Sequence, residues 1–61
     1  MTKPKNNAWV NMGQYNVWFR QYDDRYVKRD VWYDKETNKC YAFRYGVFHE
    51  VKRSWSEYVT I

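Results

Sequence analysis

The amino-acid sequence predicts a small all-β domain: an antiparallel sheet of three to five strands rolled over an aromatic core, with one short helical turn allowed near its C-terminal end. Three observations lead there. Fourteen of the 61 residues are Trp, Tyr or Phe, and with the valines they suit the pleated, half-buried surface of a strand. Leucine, a strong helix former and common core filler, is absent. Apolar and polar positions alternate with a period of two through the middle of the chain, the spacing of a strand with one buried face.

Residues 1–7 are polar, contain Lys3, Pro4 and Lys5, and read as a flexible N-terminal arm; residues 8–61 form one domain. Ala8 to Met12 is a short strand candidate ended by Gly13. From Gln14 to Tyr22 the pattern alternates, with Tyr15, Val17 and Phe19 on one side and Asn16, Trp18, Arg20 and Tyr22 on the other. Asp23-Asp24 reads as a two-residue turn. Arg25 to Tyr33 alternates again until Lys35-Glu36-Thr37-Asn38 breaks the pattern, and Asn38 suits the left-handed position of that turn. Cys40 to Tyr45 forms a third strand interrupted by Gly46, and Val47 to Val51 a fourth. In Ser54 to Tyr58, Ser54 and Glu57 match a capping box, so a helical turn and a strand both fit. Val59 to Ile61 reads as a closing strand.

The turns set a register. With Asp34 opposite Lys39, Tyr33 pairs with Cys40, Trp32 with Tyr41, Val31 with Ala42, and Arg29 with Arg44. With Asp23-Asp24 as a tight turn, Arg20 pairs with Val27, Trp18 with Arg29 and Tyr15 with Trp32. One face then gathers Tyr15, Val17, Phe19, Tyr26, Trp32, Tyr41, Phe43 and Tyr45 as the core, covered by flanking residues that include Trp9 and Trp55. The other face carries Trp18, Arg20, Tyr22, Arg29, Tyr33 and Arg44, with Cys40 and Ala42 among them.

Several function classes find no support in the residues. His49 is the single histidine and has no nucleophile at a diagnostic spacing, so no catalytic apparatus is legible. Two glycines cannot build a phosphate-cradling loop. One cysteine, Cys40, neither staples the chain to itself nor supplies a zinc site, and no metal or cofactor is expected. Apolar runs are too short for a membrane span. Neither a signal peptide nor a disulfide pattern is visible, so the expected setting is intracellular, in the cytoplasm.

The formal charge is +4, and residues 1–22 hold Lys3, Lys5 and Arg20 with no acid. In the inferred register Trp18, Arg29 and Arg44 form a row across three strands, with Arg20, Tyr22 and Tyr33 beside it. Rings interleaved with guanidinium groups on an open sheet suit single-stranded nucleic acid, whose bases stack on aromatics while cations follow the phosphates. The expected function is therefore a non-enzymatic binding module for single-stranded nucleic acid, with Lys3 and Lys5 adding backbone contacts. The same composition also suits a hot spot for an acidic protein surface or a second copy of the chain, as an inhibitor, adaptor or self-associating virion component.

The stretch Tyr33-Asp34-Lys35-Glu36-Thr37-Asn38-Lys39-Cys40-Tyr41 resembles the strand–Asp-x-x-Thr-Gly/Asn-x–strand hairpins of many small bacterial and phage domains, which implies a turn at this point. As a whole the chain looks like the bacteriophage accessory proteins. That resemblance implies a host protein as the partner and the host cytoplasm as the location.

Overall fold

The structure, a computed structural model, describes residues 8–61. Five strands, β1 (Trp9–Trp18), β2 (Val27–Asp34), β3 (Lys39–Arg44), β4 (Val47–Ser54) and β5 (Glu57–Thr60), follow one another as a meander and close into a barrel in that order. Each hairpin reverses the chain, so with an odd number of strands the first and last run the same way. The barrel accordingly closes through a parallel pair, Val17 beside Tyr58 and Trp18 beside Val59. The all-β expectation holds, and the described residues contain no helix.

Three turns reverse the chain by local chemistry. Lys35–Asn38 connects β2 to β3, with Asp34 opposite Lys39 as expected and Asn38 at φ 59°. Tyr45-Gly46 joins β3 to β4 with both residues at positive φ, 51° and 79°, the backbone whose twist matches that of a two-residue hairpin. Trp55-Ser56 joins β4 to β5, Ser54 facing Glu57. Ser54 to Tyr58 is therefore a strand end, a tight turn and a strand start; the helical turn does not form.

The short strand expected before Gly13 and the run expected after it from Gln14 are one strand, which ends at Trp18 rather than Tyr22. Between Asn11 and Gln14 the β1–β2 register slips, and Gly13 sits at φ 97° in the resulting bulge. The Asn11 side chain braces it, its Oδ1 accepting from the Gly13 N–H at 2.7 Å while its Nδ2 donates to Asp30 at 3.3 Å.

The tight turn at Asp23-Asp24 is corrected. Residues 19–26 form a longer loop, pinned where the N–H groups of Tyr22 and Asp23 both donate to the Phe19 carbonyl at 2.9 Å. Val17, not Arg20, pairs with Val27, and Tyr15, not Trp18, with Arg29. The slip is three residues, an odd number, so the sides of β1 exchange relative to β2 and β3.

That exchange decides what lies inside. The barrel interior holds Val17, Phe19, Val31, Ala42, Val51 and Tyr58, with Tyr15, Val27 and Cys40 against them. Trp32, Tyr41 and Phe43, expected in the core, lie on the outer wall. Tyr26 and Tyr45 are exposed, and Trp55 is 93% exposed rather than a core cover. The physical reason is width. Barrel diameter grows with strand number, so a barrel of only five strands has room for valines, an alanine and two rings but not for the whole aromatic set.

The outer rings make a second apolar layer. Trp9 stacks on Tyr41 with centroids 4.5 Å apart and meets Phe48 edge-on at 4.9 Å, while Phe43 meets Phe48 at 4.9 Å. The Trp9 indole N–H donates to Asp34 Oδ2 at 3.0 Å, and the Glu36 N–H donates to Asp34 Oδ1 at 2.9 Å. Burial of the Asp34 carboxyl works to raise its pKa, but these donors and those of Thr37 hold it below the usual aspartate value. Its stabilising contribution is thus complete above the ordinary carboxylate range and is lost as pH falls through the lowered folded value. Thermal melts should therefore show the melting temperature dropping between roughly pH 5 and pH 2, with a visibly shallower drop in Asp34→Asn.

Candidate functional site

The residues expected to form one binding row are distributed over three places. Trp18 lies half-buried at the end of β1, its indole N–H donating to the Asp23 carbonyl at 2.8 Å, with the Arg20 guanidinium 5.9 Å from its ring centre. Tyr22 is exposed in the same loop and meets Tyr45 and His49 edge-on at 5.0 and 5.3 Å. Arg44 joins this end of the barrel, but as an internal brace. Its Nη2 lies 2.8 Å from Asp23 Oδ1, with both side chains 14% exposed, and its guanidinium stands 5.5 Å from the Phe19 ring centre and 4.6 Å from that of Tyr45. Neither Glu50 nor Glu57 pairs with it.

Tyr33 is at the β2–β3 hairpin, its hydroxyl bonded to Asn38 Oδ1. Arg29 is separate from both groups, opposite Tyr15. The Trp18–Arg29–Arg44 row is therefore not formed: the corrected β1–β2 register removes Trp18 from Arg29, and Asp23 takes up the charge of Arg44. Lys3 and Lys5 lie outside the described residues.

What the fold does assemble is a cleft on the outer wall, about 320 Å³, lined by Gln14, Lys28, Arg29, Asp30, Trp32 and Phe43. Three strands supply it, and the bulge in β1 sets its border by turning Gln14 to stand opposite Asp30. Arg29 Nη1 donates to the Lys28 carbonyl at 2.7 Å, which holds the guanidinium close to the wall. Among the described residues neither Lys28 nor Arg29 is in an ion pair. The Trp32 Nε1–H is shut off from water and has no hydrogen-bond partner, an arrangement that costs free energy wherever it occurs. Two rings, two cations outside these ion pairs, an amide and a carboxylate thus border a single depression. At about 300–1,000 Å³ for typical ligand clefts, it has room for one flat ring system.

No protein-family model, curated protein or solved structure matches the chain. Its function has to be read from its own side chains. Among the described residues no three His, Cys, Asp or Glu side chains gather where a metal ion could be held, and no helix is long and apolar enough to cross a membrane.

Of the lining residues the sequence points to Arg29 alone as a binding residue, and in a row with Trp18 and Arg44 rather than beside Trp32; it does not point to Gln14, Lys28, Asp30, Trp32 or Phe43. A signal was available: at a period of two, Lys28 and Asp30 share one side of β2 with Trp32. A charged pair in register with a tryptophan marks an outer wall.

Proposed function

We propose that the chain is a non-enzymatic binding module for single-stranded nucleic acid, and that the strand crosses the outer wall at the Trp32–Phe43 cleft. The observation that carries this reading is the pair of unpaired cations, Lys28 and Arg29, beside two aromatic side chains in one depression. A base seated there would stack on a ring, with its flanking phosphates near the ammonium and guanidinium groups. Gln14 and Asp30 offer hydrogen bonds to a base edge. Arg20 and the arm residues Lys3 and Lys5 add to the positive field that draws the strand in.

Tryptophan fluorescence titrated with a short mixed-sequence DNA oligonucleotide tests the reading. Two phosphate contacts should give log K against log salt a slope of about −1.4, at about −0.7 per contact on single strands. Lys28→Ala should flatten the slope by about 0.7. Trp32→Leu should weaken binding by about 1–3 kcal/mol, the contribution of one stacked base. No binding, or affinity indifferent to salt, would reject the proposal.

A second reading, an adaptor or inhibitor that grips a protein, is favoured by a different surface. Tyr22 and Tyr45 are 48% and 67% exposed and in contact, and Val47 next to them is 54% exposed, a combination typical of interface anchors. Capture from a nuclease-treated lysate that is abolished by Tyr45→Asn would support this reading over the first.

A further inference from the structure

The largest anomaly outside the cleft is Trp55. Its side chain projects from the β4–β5 turn, 93% exposed, and its backbone takes φ 61°, a conformation that favours Gly or Asn and disfavours a bulky ring. Arg53 Nε holds the turn by donating to the Trp55 carbonyl at 2.9 Å. Among the described residues the indole touches no other ring. It thus adds nothing to the core and stands on strained backbone, projecting into solvent.

The same molecule carries a depression suited to such a group. An indole is flat, presents π faces, and has one N–H donor. The cleft offers the rings of Trp32 and Phe43, the cations of Lys28 and Arg29 to lie over an indole face, and the Asp30 carboxylate and Gln14 amide to accept its N–H. Glu57, facing Ser54 across the turn, and Arg53, bonded to the Trp55 carbonyl, flank the projection with one charge of each sign, to meet the Lys28 and Arg29 cations and the Asp30 carboxylate of the cleft.

We propose that Trp55 of one copy seats in the Trp32–Phe43 cleft of another. The chain then self-associates by knob and socket, and nucleic acid competes with assembly for the same depression. The competition rests on the nucleic-acid reading of the cleft; the assembly does not. If each of two copies inserts its indole into the other, a closed dimer results, and otherwise copies join head to tail. One indole per contact buries far less than the roughly 1,200–2,000 Å² of a stable interface, so the association is weak and concentration-dependent.

Sedimentation equilibrium of the full chain from about 10 μM to about 1 mM, a range chosen for a contact this small, should show the average mass rising in the wild type. Trp55→Asn should stay monomeric and, relieved of strain, melt roughly 2–6 °C higher. Gln14→Trp, which fills the cleft with its own ring, should also stay monomeric alone; Lys28→Glu/Arg29→Glu serves if that variant misfolds. Mixing Trp55→Asn, which keeps the socket, with the socket-blocked variant, which keeps the knob, should restore one contact and yield a 1:1 dimer that grows no further. A wild type that stays monomeric throughout, an assembly that survives Trp55→Asn, or a mixture that remains monomeric overturns the proposal. A short DNA oligonucleotide added to the wild type should lower the average mass. If it neither binds nor dissociates an assembly that Trp55→Asn abolishes, the nucleic-acid reading fails and the assembly stands.

Discussion

Phe19→Ala is expected to leave the domain unfolded or nearly so at 25 °C. Phe19 is fully buried and, among the described residues, is one of two buried rings in the core cluster, with Tyr58, closing the end where Arg44 and His49 lie over it. Removing a buried phenylalanine costs about 3–5 kcal/mol through lost transfer energy and the cavity left behind. A single core of this size rarely supplies more than about 3–5 kcal/mol in total. Urea titration followed by circular dichroism reads the result directly. A cooperative transition with a nearly unchanged midpoint would mean that the loop 19–26 can collapse into the space, and that Phe19 does not hold the barrel end.

Asp23→Ala should be almost as damaging, for an electrostatic reason. The Arg44 guanidinium is largely covered, and Asp23 is the acid that compensates it. Removing one partner of such a pair strands the other charge and costs about 3–5 kcal/mol. The pair is itself imperfect, because Asp23 Oδ2 and Arg44 Nε are buried without partners. The double variant Asp23→Ala/Arg44→Met should therefore recover most of the loss. Melting temperatures of the two single variants and the double form a cycle that isolates the coupling. An additive cycle would show that the two groups do not depend on each other, and would return Arg44 to the set of residues available for a ligand.

The fold was legible in the sequence wherever local chemistry carried the information. Asn38 announced the left-handed turn after Asp34, and that hairpin fixed the pairing of Val31 with Ala42 through Asp34 with Lys39. The first connection was not legible, because its length is set by long-range packing: Phe19 is drawn into the barrel, and Asp23 is held by Arg44, 21 residues away. An error of three residues there exchanged the inner and outer walls, and with them the candidate site. Side-chain size would have corrected it. Val27, Val31, Cys40, Ala42 and Val51 are all small and share one wall, whereas Trp32, Tyr41, Phe43 and Phe48 share the other. Hydrophobicity ranks the two sets alike; only the narrow bore of a five-stranded barrel separates them. The Trp55 projection was hidden for a related reason, since an indole in a turn reads in sequence as one more ring for the core.

The bulge at Gly13 has a consequence for solubility. Among the described residues β1 is paired across its other edge only at Val17 and Trp18, and within that set the stretch from Trp9 to Asn16 presents backbone donors and acceptors that a foreign strand could copy in amyloid-like fashion. The glycine breaks that template into two short pieces lying at different angles, neither long enough to nucleate a fibril with ease. In a chain so rich in aromatic and β-branched residues, the safeguard against aggregation is thus a single residue without a side chain.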